Sequence, residues 1–273
     1  ITMQPDEKGF LYPQIDETAC IQCNLCRKTC PALAADGLYH APNERCYAAF
    51  NQDEQIRKIS SSGGVFSAVA DLIFQQDGIV FGAAFDEHFK VLHRYADRQT
   101  GVAAFRGSKY LQSEIGNSYQ DCKQFLEQGR QVVFTGTPCQ IAGLRKYLKK
   151  EYPNLLTIDF LCHGVPSYAV VRKYLDDFEK KYKSKIVSFS FRDKEHGHQW
   201  AHSCAVKATL QNGKTVASKY ETLYFWKSFL DNIYLRDCCY DCQYTGIRRV
   251  SDLTIGDFWG IGEEIPFAYS TAD

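Results

Sequence analysis

The sequence predicts a mixed α/β domain, in the α+β to α/β range, standing behind a small module built on cysteines. Three observations carry that prediction. Cys20, Cys23, Cys26 and Cys30 form one short run closed by Pro31. Between about Ser60 and Tyr182, apolar runs of strand length alternate with stretches of helical apolar spacing, joined by tight Gly and Pro turns. From Lys185 onward the pattern changes to short strands arranged around Asn212-Gly213.

The cysteine run spells C-x2-C-x2-C-x3-C-P, the spacing with which bacterial ferredoxins hold [4Fe–4S] clusters. Three thiolates two residues apart wrap one cubane corner, the fourth lies a helical turn away, and Pro31 forces the chain onward. A disulfide framework and a zinc knuckle are the other readings, although zinc sites usually bring cysteines as two separated C-x2-C pairs. In two-cluster ferredoxins the last cysteine of each run ligates the other cluster, so whether Cys30 shares a cluster with Cys20, Cys23 and Cys26 stays open. Ile1 to Asp16 resembles the hairpin that joins the halves of a bacterial-type ferredoxin, with Gly9 at its turn. Residues 1–45 thus read as the second half of such a two-cluster module, and a first run is expected upstream of Ile1.

At 273 residues and 45% hydrophobic content the chain is long and apolar enough for a large packed core. Lys plus Arg and Asp plus Glu both total 32, which gives no bias toward nucleic acid or an anionic membrane surface. Lys149-Lys150 and Lys180-Lys181 read as solvated helix faces. No apolar run approaches the roughly 20 residues that cross a bilayer, and no signal-peptide pattern is visible. Twelve cysteines without secretory features point to thiolate ligands in a reducing, cytoplasmic setting. Cys46, Cys122 and Cys204 stand alone and are expected to be ordinary small buried residues.

The elements follow in order. Pro42-Asn43 punctuates the exit from the module, and a second domain, residues 51–273, begins near Asn51, its two parts covering about 51–130 and 131–273. Ser60-Ser61-Ser62-Gly63-Gly64 opens a helix from Val65 to Phe74. Backbone N–H groups at such a start favour anions, and paired glycines admit a phosphate, although serine caps commonly bind nothing. Ile79 to Phe85 and Phe89 to Tyr95 read as strands around the turn Asp86-Glu87-His88. A polar loop, Arg106 to Tyr110, precedes a helix from Asn117 to Gln128 that ends at Gly129. Gln131 to Thr135 is a strand, Gly136-Thr137-Pro138-Cys139 turns it into a helix, and Cys139 falls in that helix's first turn. Leu155 to Phe160 is a further strand that delivers Cys162-His163-Gly164-Val165-Pro166, with Pro166 starting a helix to about Tyr182. Ligands of open α/β sheets collect at the carboxyl ends of strands, where Cys139 and Cys162 both stand. Lys185–Phe191, Ser203–Leu210 and Lys214–Ser218 read as antiparallel strands. Cys239 and Cys242 follow as a hairpin-like C-x2-C pair, and Asp252 to Gly260 as a strand with glycine turns.

Cys139, Cys162, Cys239 and Cys242 match the number that a cubane or a structural zinc requires. Their other reading is two buried thiols beside a zinc half-site. Cys139 gains from its place in a helix's first turn, where the dipole favours a thiolate.

Six motifs occur in order: Ser61 to Phe66, Arg106 to Tyr110, Thr135 to Gln140, Cys162 to Pro166, Cys239 to Cys242, and Ser251 to Gly260. Together they resemble the coenzyme F420 hydrogenase/dehydrogenase beta-subunit family across Phe10 to Ile261. The resemblance implies FAD beside an iron–sulfur cluster, with cluster ligands at Cys139, Cys162, Cys239 and Cys242 and Cys238 as a competing neighbour. It implies flavin contacts from Ser62, Gly63 and Gly64 and from Arg106, Gly107, Ser108, Lys109 and Tyr110. Lys109 would place positive charge near the reduced isoalloxazine, or be a solvated loop lysine. Gly136 and Thr137 would line the pyrophosphate, or form a plain structural turn. His163 would donate to cluster sulfur, or cap the following helix. Relatives commonly continue past the Gly256 to Gly260 motif, so a further C-terminal segment is expected.

The implied activity is an oxidoreductase in which one-electron carriers feed FAD, which exchanges a hydride with an organic substrate. In methanogen relatives that substrate is coenzyme F420; other relatives resemble ferredoxin-dependent reductases such as 7-hydroxymethyl chlorophyll a reductase. Expected partners are ferredoxin or another redox subunit and a small-molecule hydride acceptor or donor. Two other classes fit the residues: a flavin-free iron–sulfur electron-transfer subunit, and a zinc-stabilised binding protein.

Overall fold

In the computed structural model, which describes residues 1–33, 38–39, 45–194, 205–218, 223–258, 260–262 and 266, Gly9 turns the chain at its start. Strands β1 (Thr2–Pro5) and β2 (Leu11–Gln14) pair antiparallel, Thr2 opposite Gln14. Gly9 has φ 81°, and a Cβ there would stand 2.5 Å from that of Ala169. Both conformation and close approach demand glycine. The cysteine run winds into α1 (Leu25–Thr29), and α2 (Glu54–Lys58) is capped by Asp53, which accepts from the N–H groups of Gln55 and Ile56.

Helix α3 (Val65–Phe74) starts at Gly64, whose left-handed φ of 77° replaces a side-chain cap. Next come β3 (Ile79–Phe85), β4 (Val91–Ala96), α4 (Gln99–Val102), α5 (Ser118–Glu127), β5 (Val132–Thr135), α6 (Pro138–Leu148) and β6 (Leu155–Phe160). Then α7 (Tyr168–Tyr182), β7 (Ile186–Asp193), β8 (Ala205–Leu210), β9 (Thr215–Ser218), α8 (Leu223–Leu230), α9 (Asp237–Tyr240) and β10 (Leu253–Ile255) complete the chain.

The main sheet runs β10-β6-β5-β3-β4, parallel except for the β3–β4 hairpin at one edge. Alternate residues of its strands serve opposite faces. Ile79, Phe81, Val132 and Phe134 pack with Leu126 of α5 and Ile141 and Leu144 of α6, while Val80, Val133 and Ile158 pack with Ala70 of α3. That double covering explains why these strands read as unbroken apolar runs. A second sheet, β7-β8-β9, packs through Phe189, Phe191, Val206 and Leu210 onto Val171 and Leu175 of α7 and Phe225 of α8. The α+β to α/β architecture is therefore as expected. Among the described residues no helix is long and apolar enough to cross a membrane.

Several local expectations are corrected. The Cys239–Cys242 stretch is not a hairpin, because Cys239 sits in the single turn of α9. Strand β4 begins at Val91 because Phe89, at φ 61°, belongs to a turn in which Asp86 accepts from the N–H groups of His88 and Lys90. The helix expected from Pro166 starts at Tyr168, capped by the Ser167 hydroxyl, while Pro166 bridges to Leu235. Cys122 is fully buried, but Cys46 is exposed on a segment without regular structure. Pro42, Asn43, Ser203, Cys204 and Trp259 lie outside the described residues. Helices α2, α4 and α8 had no sequence reading.

A buried histidine joins β4 to the start of α6. His93 Nε2 lies 2.9 Å from Thr135 O, and because a carbonyl only accepts, that nitrogen carries the proton. Its Nδ1 accepts from the Ser113 hydroxyl at 2.9 Å, and Ser113 Oγ in turn accepts from Gln140 Nε2 at 2.9 Å. Burial lowers the His93 pKa from 6.5 to about 4, against the smaller opposing effect of the Thr135 contact. The imidazole is neutral in the fold, whereas the unfolded chain protonates it below its ordinary 6.5. Its share of stability is intact above pH 6.5 and is lost as pH falls toward 4, by roughly 3 kcal/mol. Urea midpoints of wild type and His93→Gln between pH 7.5 and 4.5 should diverge accordingly, with the wild type showing the steeper acid loss.

Candidate functional site

Strand β5 ends at Thr135, and Thr137 then caps α6 by a reciprocal box: its hydroxyl accepts from Gln140 N–H, and Gln140 Oε1 accepts from Thr137 N–H at 3.0 Å. Pro138 occupies the first helical position, where a missing N–H costs nothing. Cys139 follows, with its sulfur 3.1 Å from Thr137 Oγ1.

Cys162 leaves the end of β6 as that strand pairs with β10, Thr254 opposite Asp159. Asp252 secures the pairing: its Oδ2 accepts from Thr157 N–H at 2.7 Å and Thr157 Oγ1 at 2.6 Å, and its Oδ1 meets Arg145 Nη2 at 3.1 Å. Asp159, fully buried, accepts from Arg249 Nη2 at 3.0 Å and Thr254 Oγ1 at 2.6 Å. The Ser251 to Asp257 motif thus works as a clasp that fixes the strand carrying Cys162. Beyond Cys162 the chain lies against residues 235–236: Arg236 N–H donates to Val165 O at 2.9 Å, and a Cβ on Gly164 would stand 2.7 Å from Leu235 Cδ1. This contact sets α9, with Cys239, beside the exit from β6.

The thiols of Cys139, Cys162, Cys239 and Cys242 consequently share one electrostatic neighbourhood. Cys139 is exposed at the surface, and desolvation by the surrounding protein, then Cys242 and Cys238, raise its pKa against the Thr137 hydroxyl. Burial and the charge of Cys139 push Cys162 up to about 12, opposed by a backbone hydrogen bond from Gly164 and by Arg249. Of the adjacent pair, Cys238 is driven down, first by its hydrogen bond with Cys239 and then by the Arg236 guanidinium. Cys239 is raised by that same bond, and a backbone hydrogen bond from Val165 opposes the rise. Crowded thiolates of this kind ionise together only with a cation among them. By chemistry the donor set fits an iron–sulfur cluster: four thiols, one of them with the Thr137 hydroxyl 3.1 Å from its sulfur. Among the described residues no three His, Cys, Asp or Glu are arranged to hold a single metal ion.

The first cysteine run lies close by. Cys20, Cys23 and Cys26 are exposed and Cys30 is half-buried, its N–H donating to Cys26 O at 3.1 Å as α1 ends. Helix α1 packs against α6, the helix that carries Cys139.

The expected flavin loops meet one another. Ser61 Oγ accepts from Ser108 N–H at 2.7 Å, and Arg106 Nε donates to Ser67 Oγ at 2.9 Å. The glycines are spent on packing: a Cβ at Gly63 would lie 3.1 Å from Ala49 O, and one at Gly64 3.1 Å from Asn51 Cβ. Ser62 O accepts from Lys194 Nζ at 2.9 Å. Gly107, at φ 82°, faces open space. The Lys109 amine is not a solvated loop lysine, since it donates to Phe105 O, Arg106 O and Gly107 O, and burial lowers its pKa to about 8. Gly136 and Thr137 are engaged in the start of α6.

An aromatic line joins these loops to the thiols. Tyr110 lies 5.4 Å from Phe229, Phe229 lies 4.7 Å from His163, and His163 adjoins Cys162. His163 Nε2 donates to Phe229 O at 3.1 Å, while Ser167 rather than His163 caps α7. Trp226, 4.3 Å from Tyr110 in an edge-to-face contact, has a buried indole N–H with no partner among the described residues. A ligand acceptor beside Tyr110 fits that orphaned donor. The sequence offered no signal for Trp226 because α8 carried no motif.

The profile of the family described by the C-terminal region of the beta subunit of coenzyme F420 hydrogenase/dehydrogenase matches residues 129–271, more than half of the chain. The chain belongs to this family. A solved structure that it resembles is the xenon-derivatised F420-reducing [NiFe] hydrogenase complex from Methanosarcina barkeri, at 18% identity over 74% of this chain and 68% of that one, with a TM-score of 0.49. No curated protein matches. The span shared with the beta-subunit family contains Cys139, Cys162, Cys239, Cys242 and the Asp252 clasp, whereas the Cys20 to Cys30 run lies ahead of it.

Replacing Asp252 by Ala should lower stability by about 3 kcal/mol, since two Thr157 donors and the poorly exposed Arg145 lose their acceptor together. Glu151→Ala, which removes the exposed partner of the same arginine, should cost under about 0.5 kcal/mol in the same urea titrations.

Proposed function

We propose that this beta-subunit-family protein is an iron–sulfur flavoprotein oxidoreductase, passing electrons between [4Fe–4S] clusters and FAD and exchanging a hydride with coenzyme F420 or another organic substrate. The observation that carries the reading is electrostatic: Cys139, Cys162 and Cys239 with Cys242, from three distant stretches of chain, act on one another's ionisation. When bound, the clusters supply one-electron steps and the flavin converts them to two-electron chemistry.

The chain's own residues would do the following. Cys20, Cys23, Cys26 and Cys30 hold one site, and Cys139, Cys162, Cys239 and Cys242 the other. The Thr137 hydroxyl beside Cys139, and the backbone at Gly164 and Val165 that favours thiolates at Cys162 and Cys239, would raise the potential of what these thiols hold. Arg106, Gly107, Ser108, Lys109 and Tyr110, together with the Ser62-Gly63-Gly64 turn, border the flavin. The Lys109 amine, cationic below about pH 8, favours negative charge on a reduced ring. Partners of this arrangement are a ferredoxin or another redox subunit on one side and the hydride donor or acceptor on the other. A second reading, an iron–sulfur electron-transfer subunit without flavin, draws support from the packing of Gly63 and Gly64 against residues 49–51.

Anaerobic purification separates the two. Flavin released on denaturation, identified by its fluorescence, together with iron and acid-labile sulfide supports the flavoprotein; iron and sulfide alone support the carrier; zinc alone refutes both. Cys139→Ser and Cys239→Ala should each remove the iron of one site, about half of the total, and block reduction of bound flavin by ferredoxin while flavin content changes little. Wild-type iron content in both variants would overturn the ligand assignment.

A further inference from the structure

The segment that bears Cys239 and Cys242 is gripped at both ends by the first 39 residues. At its start, Arg236 Nη2 donates to Leu11 O at 2.9 Å, its guanidinium covers the Tyr12 ring at 4.1 Å, and Lys8 Nζ meets Asp237 at 2.7 Å. At its end, the buried Tyr244 hydroxyl donates to Pro31 O at 2.7 Å, Gln243 Nε2 donates to Ala32 O at 3.3 Å, and the Tyr39 hydroxyl donates to Gln243 O. Pro31 directly follows Cys30, and Tyr244 stands two residues after Cys242.

We infer that Tyr244 is a positioning residue: its hydrogen bond to Pro31 seats the first cysteine run at one fixed separation from the Cys139/Cys242 site, making Pro31 and Tyr244 the crossing between the two. The inference rests on the iron–sulfur reading above and adds to it the place of transfer. A single electron leaves one site and arrives at the other; no bond forms or breaks, no proton moves, and Tyr244 is neither oxidised nor reduced. Tunnelling through packed protein depends steeply on separation, so a loosened seat slows the crossing while leaving both thiol sets intact.

The test uses the full chain, reconstituted anaerobically with ferrous iron and sulfide, as wild type, Tyr244→Phe and Gln243→Ala. Tyr244→Phe keeps the ring and removes only the donor. The expected result is amide exchange over residues 25–33 about fivefold faster, the scale of one lost hydrogen bond, with thermal midpoint and iron content unchanged. In the fully reduced protein, the broadening of the paramagnetic resonance signals by their mutual coupling should weaken in the variant. Gln243→Ala should act in the same direction more weakly, and it decides the matter if Tyr244→Phe fails to fold. Unchanged exchange and unchanged coupling in the variant that folds would overturn the role of Tyr244. A wild type that takes up no iron would instead overturn the electron crossing along with the reading beneath it, whatever the exchange shows.

Discussion

One tether governs the centre of this molecule: the stretch from Leu235 to Asp252 is tied at both ends to β6 or to its exit. At one end Leu235 and Arg236 lie on the chain just beyond Cys162; at the other, Asp252 holds Thr157 within β6 itself. Cys239 and Cys242 lie between these anchors and so remain near Cys162. The helix start that presents Cys139 is fixed independently, through Thr137, Gln140, Ser113 and His93. The shared chemistry of the thiols depends on these two anchorages holding together.

The polar groups that do this work are mostly withdrawn from water, which makes them effective and vulnerable at once. Asp159 has no exposure, and its partner Arg249 also touches Phe160 O, two residues before Cys162. A buried pair of this kind contributes little net stability against an apolar replacement, but removing one partner strands the other. The pair is therefore better understood as fixing register and local potential than as a source of stability. His93 follows the same logic, neutral and satisfied at both nitrogens.

Much of the framework was legible because the relevant physics is local. Unbroken apolar runs and glycine turns marked β3, β5 and β6 nearly to the residue, and helical spacing marked α3 and α5. Spacing and motif singled out the thiols proposed as ligands. What escaped were features decided by distant contacts. Nothing around Cys239 announces a helical turn, since α9 exists where Arg236 is held by Val165 and Leu11. The glycines at 63 and 64 read as a phosphate cradle, yet the chain of residues 49–51 passes against them. Asp252 read as part of a motif, and its work with Thr157 and Arg145 needed the fold to appear. Cys46, expected inside, is outside, on residues 45–50, which have no regular structure.

The grip of the earliest residues on the latest ones also bears on how the protein is made. Lys8, Leu11 and Pro31 find their partners at Asp237, Arg236 and Tyr244, more than 200 positions later in the chain. On a ribosome, these residues have no partners until residue 244 has emerged, and contacts of such long range form slowly. Until then the segment that carries Cys20, Cys23, Cys26 and Cys30 lacks the contacts that seat it in the fold.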